Sequence, residues 1–177
     1  MGSTFLALGR LEEAELSYKK ATTLKPDYAE AYSNLGNVLQ ELGKLEDAEV
    51  SHRKAIALKP DFIAAYFNLG AVLQLLNRLE AAETSYRAAI KLAPDYAKAH
   101  NNLGNVLQAI GRLEEAESSY RIALGWKPDY AEAHSNLGNT LQELGMLERA
   151  EISYRAAVKF APDFAEAYSN LSLILEK

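Results

Sequence analysis

All five prolines of this 177-residue chain are spaced 34 residues apart, and an aspartate follows each of them. They are Pro26, Pro60, Pro94, Pro128 and Pro162. Nine of the ten glycines follow the same period in two series, one from Gly2 to Gly138 and one from Gly9 to Gly145, with Asn77 filling a gap. A fixed period in the range of roughly 20–50 residues is typical of a protein built from stacked repeats. This spacing therefore constrains the fold more strongly than the composition does.

The repeats account for the whole sequence as one array, residues 1–177. With the boundary placed before Ala29, a truncated first repeat of residues 1–28 comes first, and a terminal helix, 165–177, comes last. The full repeats between them are residues 29–62, 63–96, 97–130 and 131–164.

Each repeat is predicted to form two helices. In the first full repeat they run over residues 29–42 and 45–58, where apolar residues recur at helical spacing. Gly43 can adopt the left-handed conformation that ends the first helix, and Pro60 stops the second. Trp126, which aligns with the last leucine of the other second helices, is predicted to be a core residue.

The aspartate after each proline is predicted to cap the next helix, as Asp61 would. In three repeats a glutamate follows the aspartate three residues later, which is the pattern of a capping box. These pairs are Asp27 and Glu30, Asp129 and Glu132, and Asp163 and Glu166.

Composition excludes several classes of function. The net charge is −5, whereas a nucleic-acid binder needs a basic face. The chain has no cysteine and three histidines, so we expect no metal site and no cofactor. No run of 18 apolar residues is present, and the N-terminus lacks the features of a signal peptide, so we expect no membrane contact and a cytoplasmic location.

The repeat resembles the tetratricopeptide repeat (TPR), and the resemblance covers the whole chain. The matching positions of the first full repeat are Tyr32, Leu35, Gly36, Leu39, Ala48, His52, Ala55 and Pro60. Histidine replaces an aromatic residue of the pattern at positions 52, 100 and 134. The resemblance implies an all-α fold, a right-handed α-solenoid (superhelix) of 34-residue helix-turn-helix hairpins whose first helices line a concave groove. It also implies a non-catalytic protein that binds a peptide or protein.

The sixth residue of every repeat is asparagine, although asparagine inside a helix costs roughly half a kcal/mol relative to alanine. The set is Asn34, Asn68, Asn102, Asn136 and Asn170. The array is similar in this to the TPR superhelix of the O-linked N-acetylglucosamine transferases and to bacterial TPR proteins. That resemblance implies an amide ladder holding the backbone of an extended polypeptide. Alternatively, the amides bond to adjacent helices, or were copied as the repeat duplicated.

The same helix face is predicted to carry further uncharged polar residues. They are Ser33, Asn37, Gln40, Asn101, Asn105, Gln108, Ser135, Asn139 and Gln142. The second full repeat instead has an apolar stripe, Phe67, Ala71 and Leu75, which either forms a hydrophobic pocket for a partner at mid-groove or is a solvated or neighbour-packed helix face. Glutamates lie toward the two ends of the array: Glu30, Glu41, Glu132, Glu143 and Glu166. We expect a ligand with a central apolar residue and basic flanks.

Two other surfaces bear on function. The second helices carry glutamates paired at i,i+4 with lysine or arginine, such as Glu49 with Arg53, which predicts a solvated face. The terminal helix would leave an apolar edge for self-association: Leu171, Leu173, Ile174 and Leu175.

Three functions are therefore open. The first is a scaffold for an extended protein segment. The second is a structural array that assembles head to tail into a homo-oligomer through its ends. The third is a substrate-recruiting fragment of a larger enzyme such as a glycosyltransferase.

Overall fold

The computed structural model describes residues 10–175, and within that range it contains ten helices and no strand. The predicted helical hairpins are confirmed, while Gly2 and Gly9 lie outside the described residues. The helices are α1 (Leu11–Leu24), α2 (Ala29–Glu41), α3 (Leu45–Leu58), α4 (Ile63–Leu75), α5 (Leu79–Leu92), α6 (Ala97–Ala109), α7 (Leu113–Trp126), α8 (Ala131–Glu143), α9 (Leu147–Phe160) and α10 (Ala165–Leu175).

The helices fall into two compact units with the boundary after Leu92. In unit 1, α2 pairs with α3 and α4 pairs with α5, while α1 packs on α2 and α3 packs on α4. In unit 2, α6 pairs with α7 and α8 pairs with α9, while α7 packs on α8 and α9 packs on α10. Each unit is thus a stack of helical hairpins.

The turn inside each hairpin is set by one residue with positive φ. Gly43 has φ 72°, its N–H donates to the Gln40 carbonyl at 3.0 Å, and the next N–H, of Lys44, donates to the Leu39 carbonyl at 2.8 Å. These two bonds form a Schellman motif, which satisfies carbonyls at the end of α2. Asn77, with φ 55°, takes the same place after α4, so the predicted left-handed turn is confirmed.

The two helices of a hairpin approach closely because small residues lie between them. A Cβ added to Gly104 in α6 would lie 2.6 Å from the ring of Tyr120 in α7. Ala116 and Ala123, one turn before and one turn after Tyr120 on α7, are fully buried. Leucine and valine side chains of the first helices, such as Leu107 and Val106, fill the remaining core.

The aspartate caps predicted for α2, α4, α6 and α8 are wrong, and so are the capping boxes of α2 and α8, while the box of Asp163 and Glu166 stays a prediction. The residue before α2 is Tyr28, the residue before α8 is Tyr130, and neither helix has a side-chain cap hydrogen bond. The Tyr28 N–H donates to the Lys25 carbonyl at 3.2 Å, which closes a turn around the proline and leaves Asp27 one residue outside the cap position. Glu30 is then the second helical residue, where it still favours the positive helix end.

The prediction that Trp126 is a core residue is also wrong, since 57% of it is exposed. It is the last residue of α7 and lies beyond Ala123, the last fully buried residue of that helix. Phe160, at the end of α9, is 43% exposed in the same way.

Candidate functional site

Asparagines of neighbouring repeats bond to each other along the first helices. The Asn68 Nδ2 in α4 donates to the Asn37 Oδ1 in α2 at 2.8 Å. In unit 2, the Asn136 Nδ2 donates to the Asn105 Oδ1 at 3.0 Å, and the Asn170 Nδ2 donates to the Asn139 Oδ1 at 3.0 Å. The sixth position of one repeat therefore binds the ninth position of the repeat before it. This is the adjacent-helix alternative weighed above.

Tyrosines of the second helices donate hydrogen bonds to the ninth-position amides. The Tyr120 hydroxyl donates to the Asn105 Oδ1 at 2.7 Å, and the Tyr154 hydroxyl donates to the Asn139 Oδ1 at 2.7 Å. Burial, followed by the charges of Glu166 and Glu143, raises the pKa of Tyr154 to about 12, so this hydroxyl keeps its proton. Both lone pairs of each ninth-position oxygen in unit 2 are thus occupied.

The network leaves a specific set of polar atoms available. The Asn136 Nδ2 also donates to the Asn101 Oδ1 at 3.2 Å, which uses both of its hydrogens and leaves its own Oδ1 without a bond among the described residues. The Nδ2 of Asn105 is likewise without a bond in that part of the chain, because only its oxygen is used. Each pair of asparagines therefore presents a free acceptor oxygen and a free amide nitrogen that can donate, which are the groups that the N–H and C=O of a peptide group require.

Two members of the sixth-position set differ from this arrangement. Asn34 is exposed in α2. Asn102 is half-buried, and its Oδ1 accepts a 3.3 Å bond from the Nδ2 of Asn101.

The three fifth-position polar residues that were predicted to lie on the exposed face are buried instead. Ser33 is 3% exposed, Asn101 is 0% exposed and Ser135 is 1% exposed. Asn101 is accommodated because its amide bonds to Glu132 and Asn136. The exposed face of the first helices is therefore narrower than predicted, with its amides at the sixth and ninth positions and glutamine at the twelfth.

The apolar stripe of α4 is only partly available to a ligand. The Phe67 ring is half-buried, with its centroid 5.8 Å from that of Tyr86 and the planes tilted by 58°. Ala71 is half-buried, whereas 59% of Leu75 is exposed. Leu75 is thus the main apolar contact point on this face of unit 1.

The predicted acidic residues take different roles. Glu30 forms an ion pair with Lys59 at 3.1 Å, and a backbone hydrogen bond, followed by this pair, lowers its pKa. In unit 2, Glu132 accepts a bond from Asn101 at 3.2 Å, and Glu143 accepts one from Gln108. The unit 2 face therefore carries negative charge directly beside its amides.

The three histidines at aromatic positions of the TPR pattern have structural roles in packing. The Nε2 of His100 donates to the Pro94 carbonyl at 2.9 Å, and His134 stacks on Phe160 with centroids 5.6 Å apart. His52 takes the place of a tyrosine against Gly36 and is 0% exposed. Neither of its ring nitrogens has a hydrogen-bond partner in the described chain, and burial lowers its pKa to about 4.

The sequence predicts the ion pairs within each second helix, but not those that join one repeat to the next. Glu49 does pair with Arg53 at 3.0 Å, as predicted, but it also binds Arg78 of the next repeat at 2.5 Å. Glu15 likewise binds both Lys19 and Lys44 at 2.7 Å. The missed signal was a basic residue 29 positions after the glutamate.

The predicted self-association residues divide into two groups. Leu171 and Ile174 are 8% and 7% exposed, so they belong to the core of unit 2. Leu173 and Leu175 are 53% and 57% exposed on the other side of α10.

Within residues 10–175, no group of three histidine, aspartate or glutamate side chains is arranged to hold a metal ion. None of the helices in that range has the length and apolar character needed to cross a membrane.

Solved structures with the same fold support the assignment of the family. Crystallised MamA superposes with a TM-score of 0.86 at 25% identity, over 94% of this chain and 97% of that chain. YrrB, whose structure is described as that of a TPR protein with an unusual peptide-binding site, superposes with a TM-score of 0.80 at 26% identity, over 95% and 87% of the two chains. A thermophilic TPR protein from Thermus thermophilus gives 0.76 at 26% identity, over 99% and 96%.

No curated protein matches the sequence. Family models do match most of it. A TPR repeat model matches residues 2–43 and 75–111, and two tetratricopeptide repeat models match residues 29–62 and 95–163. With this coverage and an all-α solenoid of helical hairpins, the chain belongs to the tetratricopeptide repeat family.

Proposed function

We propose that this protein is a non-catalytic interaction module whose first-helix faces bind the backbone of an extended polypeptide. The observation that carries the proposal is the pairing of asparagines between repeats. Each pair leaves an acceptor on the sixth position, as on Asn136, and a donor on the ninth position, as on Asn105. The similarity to YrrB, described as having a peptide-binding site, adds support.

In the sequence-based hypothesis each asparagine both donates to the ligand backbone and accepts from it. In the asparagine pairs, by contrast, one residue donates and the other accepts. The donors come from Asn37, Asn105 and Asn139, and the acceptors from Asn68, Asn136 and Asn170. Neighbouring helices lie on the order of 10 Å apart, and an extended peptide advances about 3.3 Å per residue. One asparagine pair therefore serves about three residues of the ligand.

The protein recognises side chains of the ligand less specifically than it recognises the ligand backbone. Leu75 offers an apolar contact in unit 1, while Glu132 and Glu143 make the unit 2 face acidic. We therefore expect an apolar residue and basic residues in the preferred ligand, with weaker binding as salt screens the charges.

The test uses fluorescent extended peptides with a central leucine and flanking arginines, each made with normal and with N-methylated backbone amides. The triple variant Asn37→Ala, Asn105→Ala, Asn139→Ala should lose about tenfold or more in affinity, and N-methylation should cost a similar factor. The matched control, Arg53→Ala, Arg87→Ala, Arg121→Ala on the second helices, should bind normally. Equal binding of the methylated peptides would refute backbone recognition.

Self-association is a second candidate, supported by the exposure of Leu173 and Leu175 on α10. A sedimentation-velocity series should then show concentration-dependent oligomers that disappear in the variant Leu173→Lys, Leu175→Lys. A monomer at every concentration would remove this candidate.

A further inference from the structure

Unit 2 carries four large apolar side chains on the outer surface of its second helices. Ile122 and Trp126 lie one turn apart on α7 and are 44% and 57% exposed. Ile152 and Phe160 lie two turns apart on α9 and are 67% and 43% exposed, with Ala156 between them. We name these four residues the outer apolar patch. None of them belongs to the first-helix face described above.

On α1 and α3 of unit 1 the matching positions are interrupted by charge, whereas on α5 they are Thr84, Ala88 and Leu92. On α1, Lys20 stands between Leu16 and Leu24, and on α3 Lys54 follows Val50. In unit 2 the same middle positions hold Ile122 and Ala156. α7 and α9 therefore each carry an exposed apolar stripe without the lysine that stands at its middle position in α1 and α3. Contiguous exposed apolar surface of this kind marks a site of interaction, and tryptophan is enriched where interfaces derive most of their energy.

One ion pair links α7 to α9. The Arg149 guanidinium of α9 donates to the Glu117 carboxylate of α7. A crevice of about 480 Å³ lies at this junction, and its lining consists of Glu114, Glu117, Ser118, Arg121, Ile122 and Arg149. The crevice is large enough to receive a side chain of a partner.

The charges around the patch differ between its two ends. At the carboxyl ends of the helices, the Lys127 ammonium lies 4.8 Å from the centre of the Tyr130 ring, and the Lys159 ammonium lies 5.6 Å from that of Phe160. Neither lysine has a carboxylate partner within residues 93–175. Acidic residues lie at the amino ends instead, namely Glu114 and Glu148.

We propose that the outer apolar patch docks an amphipathic helix of a partner protein, with acidic side chains of that helix over Lys127 and Lys159. The apolar stripe of such a helix covers Ile122, Trp126, Ile152 and Phe160, and one of its side chains enters the crevice beside Glu117. The two lysines supply the charge complementarity that selects an acidic helix over a basic one. An anionic membrane is disfavoured because Glu114 and Glu148 add negative charge at the amino ends of the same two helices.

Trp126 is the only tryptophan of the chain, so its fluorescence reports directly on this surface. The probes are designed helical peptides without tryptophan that share one leucine stripe and carry either glutamates or lysines at one end. The glutamate peptides should shift the Trp126 emission to shorter wavelength and bind about tenfold more tightly than the lysine peptides. The preference should shrink as salt is raised.

Matched variants separate this surface from general hydrophobicity. Ile152→Lys should abolish the shift, whereas Val50→Lys, which changes a residue that is also 67% exposed on α3, should leave it intact. The pair Lys127→Glu and Lys159→Glu should reverse the preference between the two peptide series. Because Asn37, Asn105 and Asn139 lie on other helices, their alanine variants should not affect this binding.

Several results would overturn the proposal. They are equal binding of the two peptide series, no shift with any peptide, a shift produced only by vesicles of anionic phospholipid, and a shift produced by raising the protein concentration alone. The last two would assign the patch to a membrane and to a second copy of the chain.

Discussion

The ring of Tyr120 lies directly over Gly104, so that a Cβ on this glycine would be 2.6 Å from the ring carbon Cε1. Because Tyr120 is fully buried, it has no room to move aside. The same contact joins Gly70 with Tyr86 and Gly138 with Tyr154. The close approach of the two helices in a hairpin therefore depends on this glycine.

Gly104→Ala should lower the free energy of unfolding by about 1–3 kcal/mol, since a methyl group is forced into a filled core. Denaturant unfolding followed by circular dichroism measures the change. The control is Gly125→Ala in α7, where a Cβ would meet nothing within 4 Å. That change should stabilise the protein by up to about 1 kcal/mol, because alanine is the better helix former. Similar effects of the two changes would contradict the packing argument.

His52 should make the stability depend on pH. Burial lowers its pKa to about 4 from 6.5, so the unfolded chain binds the extra proton between these values. The stability is therefore complete above about pH 6.5 and is lost progressively as the pH falls toward 4, by up to about 3 kcal/mol. Unfolding curves across this window should show the loss, and His52→Phe should remove it. A His52→Phe variant with an unchanged pH profile would contradict this assignment.

His52→Tyr should stabilise unit 1. Tyr120 and Tyr154 donate to the ninth-position asparagines of their repeats, whereas Asn37 accepts a bond from Asn68 and His52 donates none. A tyrosine hydroxyl there should add about 1 kcal/mol relative to His52→Phe, which has the ring without the hydroxyl. Thermal unfolding at pH 7 compares the two variants. If both melt at the same temperature, the hydroxyl bond does not form.

Ser135→Ala should be neutral or slightly stabilising. The Ser135 Oγ is buried in α8 and has no hydrogen-bond partner among the described residues, so the hydroxyl contributes only its desolvation cost. The matched change Ser153→Ala removes a hydroxyl that donates to the Arg149 carbonyl at 3.1 Å and should give less benefit. Denaturant midpoints of the two variants provide the comparison. A clear loss of stability in Ser135→Ala would reveal a partner for the hydroxyl.

Much of the fold is predictable from the sequence because it is encoded locally. The 34-residue period places each hairpin, Gly43 and its equivalents end the first helices, and the second helices of the full repeats begin and end where the apolar spacing indicates. These features depend on the conformations open to individual residues and on contacts between residues a few positions apart. The aspartate cap of α2 was predicted one residue too early: the helix begins at Ala29 as expected, but the residue before it is Tyr28 and not Asp27.

The tertiary structure decided how each side chain is used. The sequence alone shows an asparagine at every sixth position of the repeat. Only the packing of neighbouring repeats shows that the Asn136 Nδ2 donates to Asn101 and Asn105, which leaves its Oδ1 free to accept. Only the tertiary structure shows that Trp126 is exposed, although its alignment indicated a core residue. It also shows that Glu49 binds Arg78. Such outcomes depend on contacts between residues about 30 positions apart, and the periodic pattern of one repeat does not specify what the next repeat brings to the contact.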